Sequence, residues 1–409
     1  MPRGVRDLNR QTIIDWRARG IGNPTERLKF LRERMGPDWP DPARVRWWER
    51  ITRHRWHAPA LAGMLTVVVV SGVLVSAFEF HHTDSMPMSR SVILAPPVAL
   101  SSDPPNDSAV WLVDRKGDVE TYSNGLRIET RFVVSTQARG RYRVFPRSKI
   151  DTSESQFLAH PAGIVFHTTE SAEAPFQAGQ DRNLKRIGQE VLLFVQQNRC
   201  YHFVIDRFGR VFRIVKEEDV AYHSGNSVWA DQHLVYVGLN TSFLAVAIET
   251  QTRAGQDTAS ASPAQIYAVR VLTNMLRSKY HIDAANCVTH AQVSINPVNK
   301  LIGYHTDWAA NFPFQAIGLP DNYMQPPASM VVFGFSYDPG YLHSTGTKLL
   351  PGLLMAESEV RTQAARLGLD VPRYRAQLQA RLQAKLTQLD SDNRLKTTTK
   401  EKEGKNHGN

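Results

Sequence analysis

Between Trp56 and Phe78 the chain carries no charged residue, a run of about 23 residues that can cross a bilayer core of about 30 Å. Its centre, Met64-Leu65-Thr66-Val67-Val68-Val69-Val70, is apolar on every side of a helix, unlike an amphipathic surface helix. Val75-Ser76-Ala77 has the small residues of a processing site. The polar stretch before the run is, however, far longer than the n-region of a cleavable signal. A membrane-spanning helix over 56–78 is therefore expected. Arg44, Arg46, Arg50, Arg53 and Arg55 crowd its N-terminal flank, whereas Glu79 and Asp84 follow it. The positive-inside rule then keeps residues 1–55 in the cytoplasm and places everything after residue 79 outside it. Trp47, Trp48 and Trp56 stand where interfacial rings are favoured.

The formal net charge is +10, and residues 1–57 alone hold 14 Lys/Arg against 7 Asp/Glu. Most of the excess thus sits in one short segment directly before the apolar run. A nucleic-acid-binding protein would spread it over a folded face with interleaved aromatics, so no nucleic-acid partner is expected. Nothing in the sequence identifies a protein partner for the basic head. Two cysteines, Cys200 and Cys287, are too few for a disulfide scaffold or a thiolate zinc site; they form either one disulfide or two buried thiols.

Residues 79–108 are rich in Ser, Pro and Asp and read as a linker. Residues 109–150 read as a small β-rich segment, with strands near 110–113 and 119–122 and a hairpin signal at Ser123-Asn124-Gly125. From 155 to 325 strands and helices alternate. Gly163-Ile164-Val165-Phe166 is a short buried strand, and 182–198 places Leu184, Ile187, Val191, Leu192 and Val195 on one helical face. Strands over 201–206 and 211–215 form a hairpin at Phe208-Gly209, and 244–250 is another apolar strand. Ser262-Pro263-Ala264-Gln265 is a capping box opening a helix to about Tyr280, and Val288-Thr289-His290 reads as one more strand. The expected fold class is α/β, a mixed central sheet flanked by helices. A C-terminal extension with a charged helix covers 326–392, and a disordered tail is expected over 393–409.

His167 and His290 each end an apolar strand, and His305 and Asp307 share Gly303-Tyr304-His305-Thr306-Asp307-Trp308. Imidazoles and a carboxylate brought to one sheet rim suit a catalytic metal, which takes three protein ligands and keeps a fourth position for water. No His-Glu-x-x-His is present to support the common zinc-protease plan.

Six short motifs occur in the order of a known family. They are Phe166-His167-Thr168-Thr169, the stretch from Tyr201 to Gly209, Ala221-Tyr222-His223-Ser224-Gly225, Val246-Ala247-Ile248-Glu249, Thr289-His290 and His305-Thr306-Asp307. Together they resemble the zinc-dependent N-acetylmuramoyl-L-alanine amidases, a family that includes phage lysozyme-type enzymes and animal peptidoglycan-recognition proteins. The resemblance covers 160–325 and implies their fold and the hydrolysis of peptidoglycan, or of muropeptides, between N-acetylmuramic acid and L-alanine. It implies zinc (Zn2+) on His167, His290 and Asp307, Glu249 as general base, and Tyr201 and His305 as donors to the oxyanion. His223 reads as a substrate-contacting or structural histidine rather than a fourth ligand, since a fourth would close the site. Trp308 opens an aromatic segment that either borders the cleft or fills the core. Where the family's bacterial cytosolic members have lysine two residues before the carboxylate, this chain has His305, and residues 294–302 are an insertion carrying Lys300. His305 is the alternative third ligand. Some relatives only bind peptidoglycan, so a non-catalytic sensor is the alternative function. The implied location is a bacterial cytoplasmic (inner) membrane, single-pass, with the catalytic domain in the periplasm or cell-wall space.

Overall fold

A computed structural model describes residues 109–252, 261–346 and 349–406, with side chains to 390. The expected head (1–55), membrane span (56–78) and linker (79–108) lie outside these residues. Among the described residues no helix is long and apolar enough to cross a membrane.

In chain order the strands are β1 (Leu112–Lys116), β2 (Val119–Tyr122), β3 (Arg127–Glu129), β4 (Tyr142–Pro146), β5 (Gln156–Leu158), β6 (Gly163–Thr168) and β7 (Phe203–Ile205). They continue with β8 (Val211–Arg213), β9 (Val228–Ala230), β10 (Leu234–Val237), β11 (Phe243–Ile248), β12 (Cys287–Thr289), β13 (Leu301–Ile302) and β14 (Ser336–Tyr337). Eight form the main sheet in the order β1-β2-β3-β8-β7-β11-β6-β12, and β5-β4-β10-β9 form a second sheet. At the centre β11 runs parallel to β6 and β7, pairing Ala247 with His167 and with Val204. All six residues of β6 and of β11 are buried. A parallel strand covered on both faces needs such a run rather than an alternating pattern.

Alternation within these strands sorts their side chains between two layers. Phe166, Phe203, Ile205, Val246 and Ile248 pack with Val269, Leu272, Met275 and Leu276 of one helix. Val204, Phe212 and Ala247 pack with Ile187, Val191, Leu192 and Val195 of another. The latter is α1 (Asp181–Asn198); the former is α2 (Pro263–Tyr280). α2 starts and stops where its signals lie. Ser262 Oγ accepts from Gln265 N at 3.2 Å, Gln265 returns the bond to Ser262 N at 3.0 Å, and His281 ends the helix in the left-handed region.

The 109–150 segment is not a separate unit. β1–β3 extend the main sheet, β3 pairing in parallel with β8, while β4 joins the second sheet. A buried ion pair accounts for this: Arg213 of β8 reaches Glu120 of β2 at 2.7 Å and Glu217 at 2.8 Å, and Tyr122 Oη donates to Glu120 at 2.9 Å. Removing one member would leave a buried charge alone, at a cost of about 3–5 kcal/mol.

Beyond β12 come α3 (His290–Val293), α4 (Ala328–Val331), α5 (Pro339–Ser344), α6 (Pro351–Arg366) and α7 (Val371–Asn406). The C-terminal elements share one core with the second sheet and the 294–302 insertion. Phe145, Val235, Ala291, Ile302, Ala309, Phe333, Tyr341, Leu353 and Leu382 belong to it. β13 of the insertion pairs with β14, and Gly303, at φ +73°, lies against the Tyr341 ring. The tail expected to be disordered instead continues α7 to Asn406. Both cysteines are free thiols, Cys287 buried and Cys200 half-buried.

Candidate metal centre

Each member of the His167–His290–Asp307 group is delivered by a local device. His167 is the fifth residue of β6, on the α1 side, and its neighbour across the ladder is the small Ala247. His290 does not end a strand as the sequence suggested; it is the first residue of α3. Thr289 caps that helix, with Gln292 Oε1 accepting from Thr289 N at 3.0 Å, so the chain turns from strand to helix at the imidazole. Asp307 lies in the loop after β13, where its carbonyl accepts from Ala291 N at 3.2 Å and Trp308 follows at φ +55°. Ser294 Oγ, accepting from His305 N at 3.1 Å, ties the same loop to the end of α3.

The three side chains converge. His167 Nδ1 stands 3.1 Å from Asp307 Oδ2, and His290 Nδ1 stands 2.9 Å from Asp307 Oδ1. One ligand atom from each of the three lies within 4.8 Å of the others. They are 0, 5 and 8% exposed, in the order His167, His290, Asp307. Burial, with the neighbouring His290 adding to it, lowers the His167 pKa to about 4, so this imidazole is neutral at physiological pH. Burial works to raise the Asp307 carboxyl, but His290 and His167 together hold it well below the ordinary range. Two imidazoles and one carboxylate, with both Nδ1 atoms turned to the same acceptor, are the donor set of a divalent-cation site, and they fit zinc. Between the two candidates for third ligand the geometry distinguishes clearly. Asp307 faces both imidazoles, whereas the His305 ring lies parallel to that of His290 at 4.5 Å.

The other expected site residues fall into two sets. Tyr201 is beside the cluster, its ring 4.9 Å from that of His167, and burial raises its phenol well above the ordinary range. Glu249 follows β11 on the His167 side of the sheet. Its carbonyl accepts from Gln265 Nε2 at 2.9 Å and its carboxylate from Arg207 N at 3.1 Å. Gly188 of α1 leaves room for that carboxylate, since a Cβ there would come within 3.2 Å of Glu249 Oε2. Burial pushes the carboxyl up to about 7 against the Arg207 N–H, which lowers it. Among the described residues Glu249 makes no hydrogen bond or ion pair with His167, His290 or Asp307.

His223 and Trp308 are not on an open cleft wall. His223 is 8% exposed and stands behind His167, Nδ1 to Nε2 at 3.1 Å. Trp308 is in the main core, edge-on to Phe312, so it fills the core. The exposed rings nearby are Tyr222 and Tyr304, the latter edge-on to His305 at 4.9 Å. Sequence reasoning passed over Tyr304, Asn240 and Glu170. Glu170, at the exit of β6, is held by Thr168 Oγ1 at 2.5 Å and Thr252 N at 2.7 Å. Its left-handed backbone, at φ +49°, leaves no trace in the residue type.

Fold and cluster define a layered α/β domain with a buried His–His–Asp cluster whose ligand atoms converge. Residues 158–307 match the family model described as N-acetylmuramoyl-L-alanine amidase. Among solved structures, the chain is similar to AmpDH3 from Pseudomonas aeruginosa, solved in complex with anhydromuramic pentapeptide. The identity is 19% and the TM-score 0.29, covering 38% of this chain and 58% of that one. It is also similar to the N-acetylmuramyl-L-alanine amidase AmiD from E. coli, with identity 18%, TM-score 0.32 and coverage of 52% and 94%. A third is PGRP-SA of Apis mellifera, with identity 15%, TM-score 0.24 and coverage of 42% and 92%. No curated protein sequence matches the chain. The likeness to that family lies in the sequence match over 158–307.

Proposed function

We propose that the protein is a zinc-dependent amidase that hydrolyses the bond between N-acetylmuramic acid and L-alanine in peptidoglycan or its fragments. The observation that carries this reading is the convergence of His167, His290 and Asp307 within the segment that matches the amidase family. Zinc held there supplies a Lewis acid for a carbonyl and acidity for water. Glu249, with a carboxyl near 7, is matched to taking up a proton and returning it to a leaving amine at neutral pH. Tyr201 keeps its phenolic proton and so remains a donor toward developing negative charge beside His167. His305 occupies the position of the family's lysine and offers a ring N–H for the same purpose. The Tyr222 and Tyr304 rings supply flat exposed surfaces near the cluster for the sugar or the stem peptide.

The uncharged run at 56–78 supports a single membrane span with the N-terminus in the cytoplasm and the amidase domain in the periplasm or cell-wall space. One observation favours a second reading, a protein that binds peptidoglycan without cutting it: the Glu249 carboxylate accepts from the Arg207 N–H and, among the described residues, makes no hydrogen bond to the cluster. Incubating full-length protein with a defined muropeptide separates the two. The amidase reading predicts free stem peptide with an N-terminal alanine and a sugar retaining its lactyl acid. Muropeptide bound but recovered intact would establish the binding reading.

A further inference from the structure

We infer that His223 is a positioning residue for the metal centre: it fixes the tautomer and ring plane of His167 by accepting a hydrogen bond from its Nε2. The inference rests on the zinc reading above. His167 offers Nδ1 to the cluster, where it faces Asp307. A ligand nitrogen carries no proton, so the proton of the neutral ring belongs on Nε2. The atom 3.1 Å from that Nε2 is His223 Nδ1, and the two rings meet edge to face at 86°. His223 must then carry its own proton on Nε2.

That second proton makes the arrangement informative. His223 Nε2 is buried and has no hydrogen-bond partner. A ring placed only for packing would be expected to satisfy its N–H. Here the sole hydrogen bond of the ring among the described residues goes to His167. The backbone is anchored to hold it there. Asn240 Oδ1 accepts from His223 N at 3.0 Å, from Ser224 N at 2.8 Å and from Ser224 Oγ at 3.0 Å. A ligand imidazole whose far nitrogen is held in this way is oriented and more basic, and losing such a partner weakens metal binding by about 10–100-fold.

The test is zinc affinity of the full-length protein by competition with a chromophoric chelator, for wild type, His223→Leu and His223→Asn. Leucine removes the acceptor. Asparagine restores one, because its amide oxygen sits on Cγ where the imidazole carries Nδ1. The expected result is a loss of about 10–100-fold in His223→Leu and recovery of most of it in His223→Asn, with the two metal-free variants melting alike. Unchanged affinity in His223→Leu would overturn the inference. So would equal weakness of both variants when each is folded. Nitrogen-15 NMR of the histidine rings in zinc-loaded wild type decides the matter even if a variant does not fold: the inference requires metal on Nδ1 of His167 and the proton on Nε2. Wild type that binds no zinc would overturn the metal reading and this inference with it, whereas a wild type and variants that bind zinc equally would overturn the inference alone.

Discussion

The His305 ring lies face to face with that of His290, centroids 4.5 Å apart and planes 16° from parallel. His305 is therefore docked on the His290 imidazole rather than projecting on a flexible stem. A donor held in this way loses less freedom when negative charge develops beside it. His305→Ala is expected to lower kcat by about 10²–10³-fold with little change in KM or zinc content. His305→Lys should recover part of that loss. Unchanged kcat in His305→Ala would remove His305 from the reaction.

Glu249 sets activity against stability. Its carboxyl has an ordinary value of 4.5 and a folded value of about 7, raised by burial. A folded value above the unfolded one means that the native state binds the proton more tightly. The favourable contribution of the protonated form is complete below about 4.5 and is lost as pH rises to about 7. Above that window ionised Glu249 costs about 3 kcal/mol. Glu249→Gln removes this cost, so the metal-free variant should melt above wild type at about pH 8 while losing amidase activity. The gap should close near pH 4. A variant no more stable than wild type at the higher pH would contradict the burial argument.

The C-terminal extension supports the loop that carries Asp307. Gly303 is at φ +73°, and a Cβ there would fall 2.3 Å from Tyr341 Cγ in α5. Gly303→Ala combines a left-handed backbone with an overlap in a packed core and is expected to cost about 2–5 kcal/mol in urea unfolding. Tyr341→Leu in the same chain should relieve part of the overlap. If Gly303→Ala unfolds like wild type, the extension does not brace the loop at this point.

Local signals in the chain were readable where the structure depends on neighbours in sequence. The capping box at Ser262 located α2 from Pro263 to Tyr280, and unbroken apolar runs marked β6 and β11. Short motifs singled out His167, His290 and Asp307, and their side chains converge. What stayed hidden depends on partners far apart in the chain. Glu120 meets Arg213 from 93 positions away in the chain, and this pairing ties the N-terminal hairpin to the main sheet. The Thr289–Gln292 cap was present in the sequence, but the apolar Val288 before it read as a strand continuing through His290. His223 and Trp308 carry residue types suited to a cleft wall; only tertiary packing sends one behind His167 and the other into the core.

In the function proposed above, one zinc ion on His167, His290 and Asp307 makes this chain an amidase. Titrating zinc into metal-stripped full-length protein, while following release of stem-peptide amino groups from purified peptidoglycan or a muropeptide, tests it most directly. Activity should rise from zero and level off near one zinc per chain, and Asp307→Asn should stay inactive over the same range. Full activity in the stripped protein, or an intact amide bond with one zinc bound, would contradict the account.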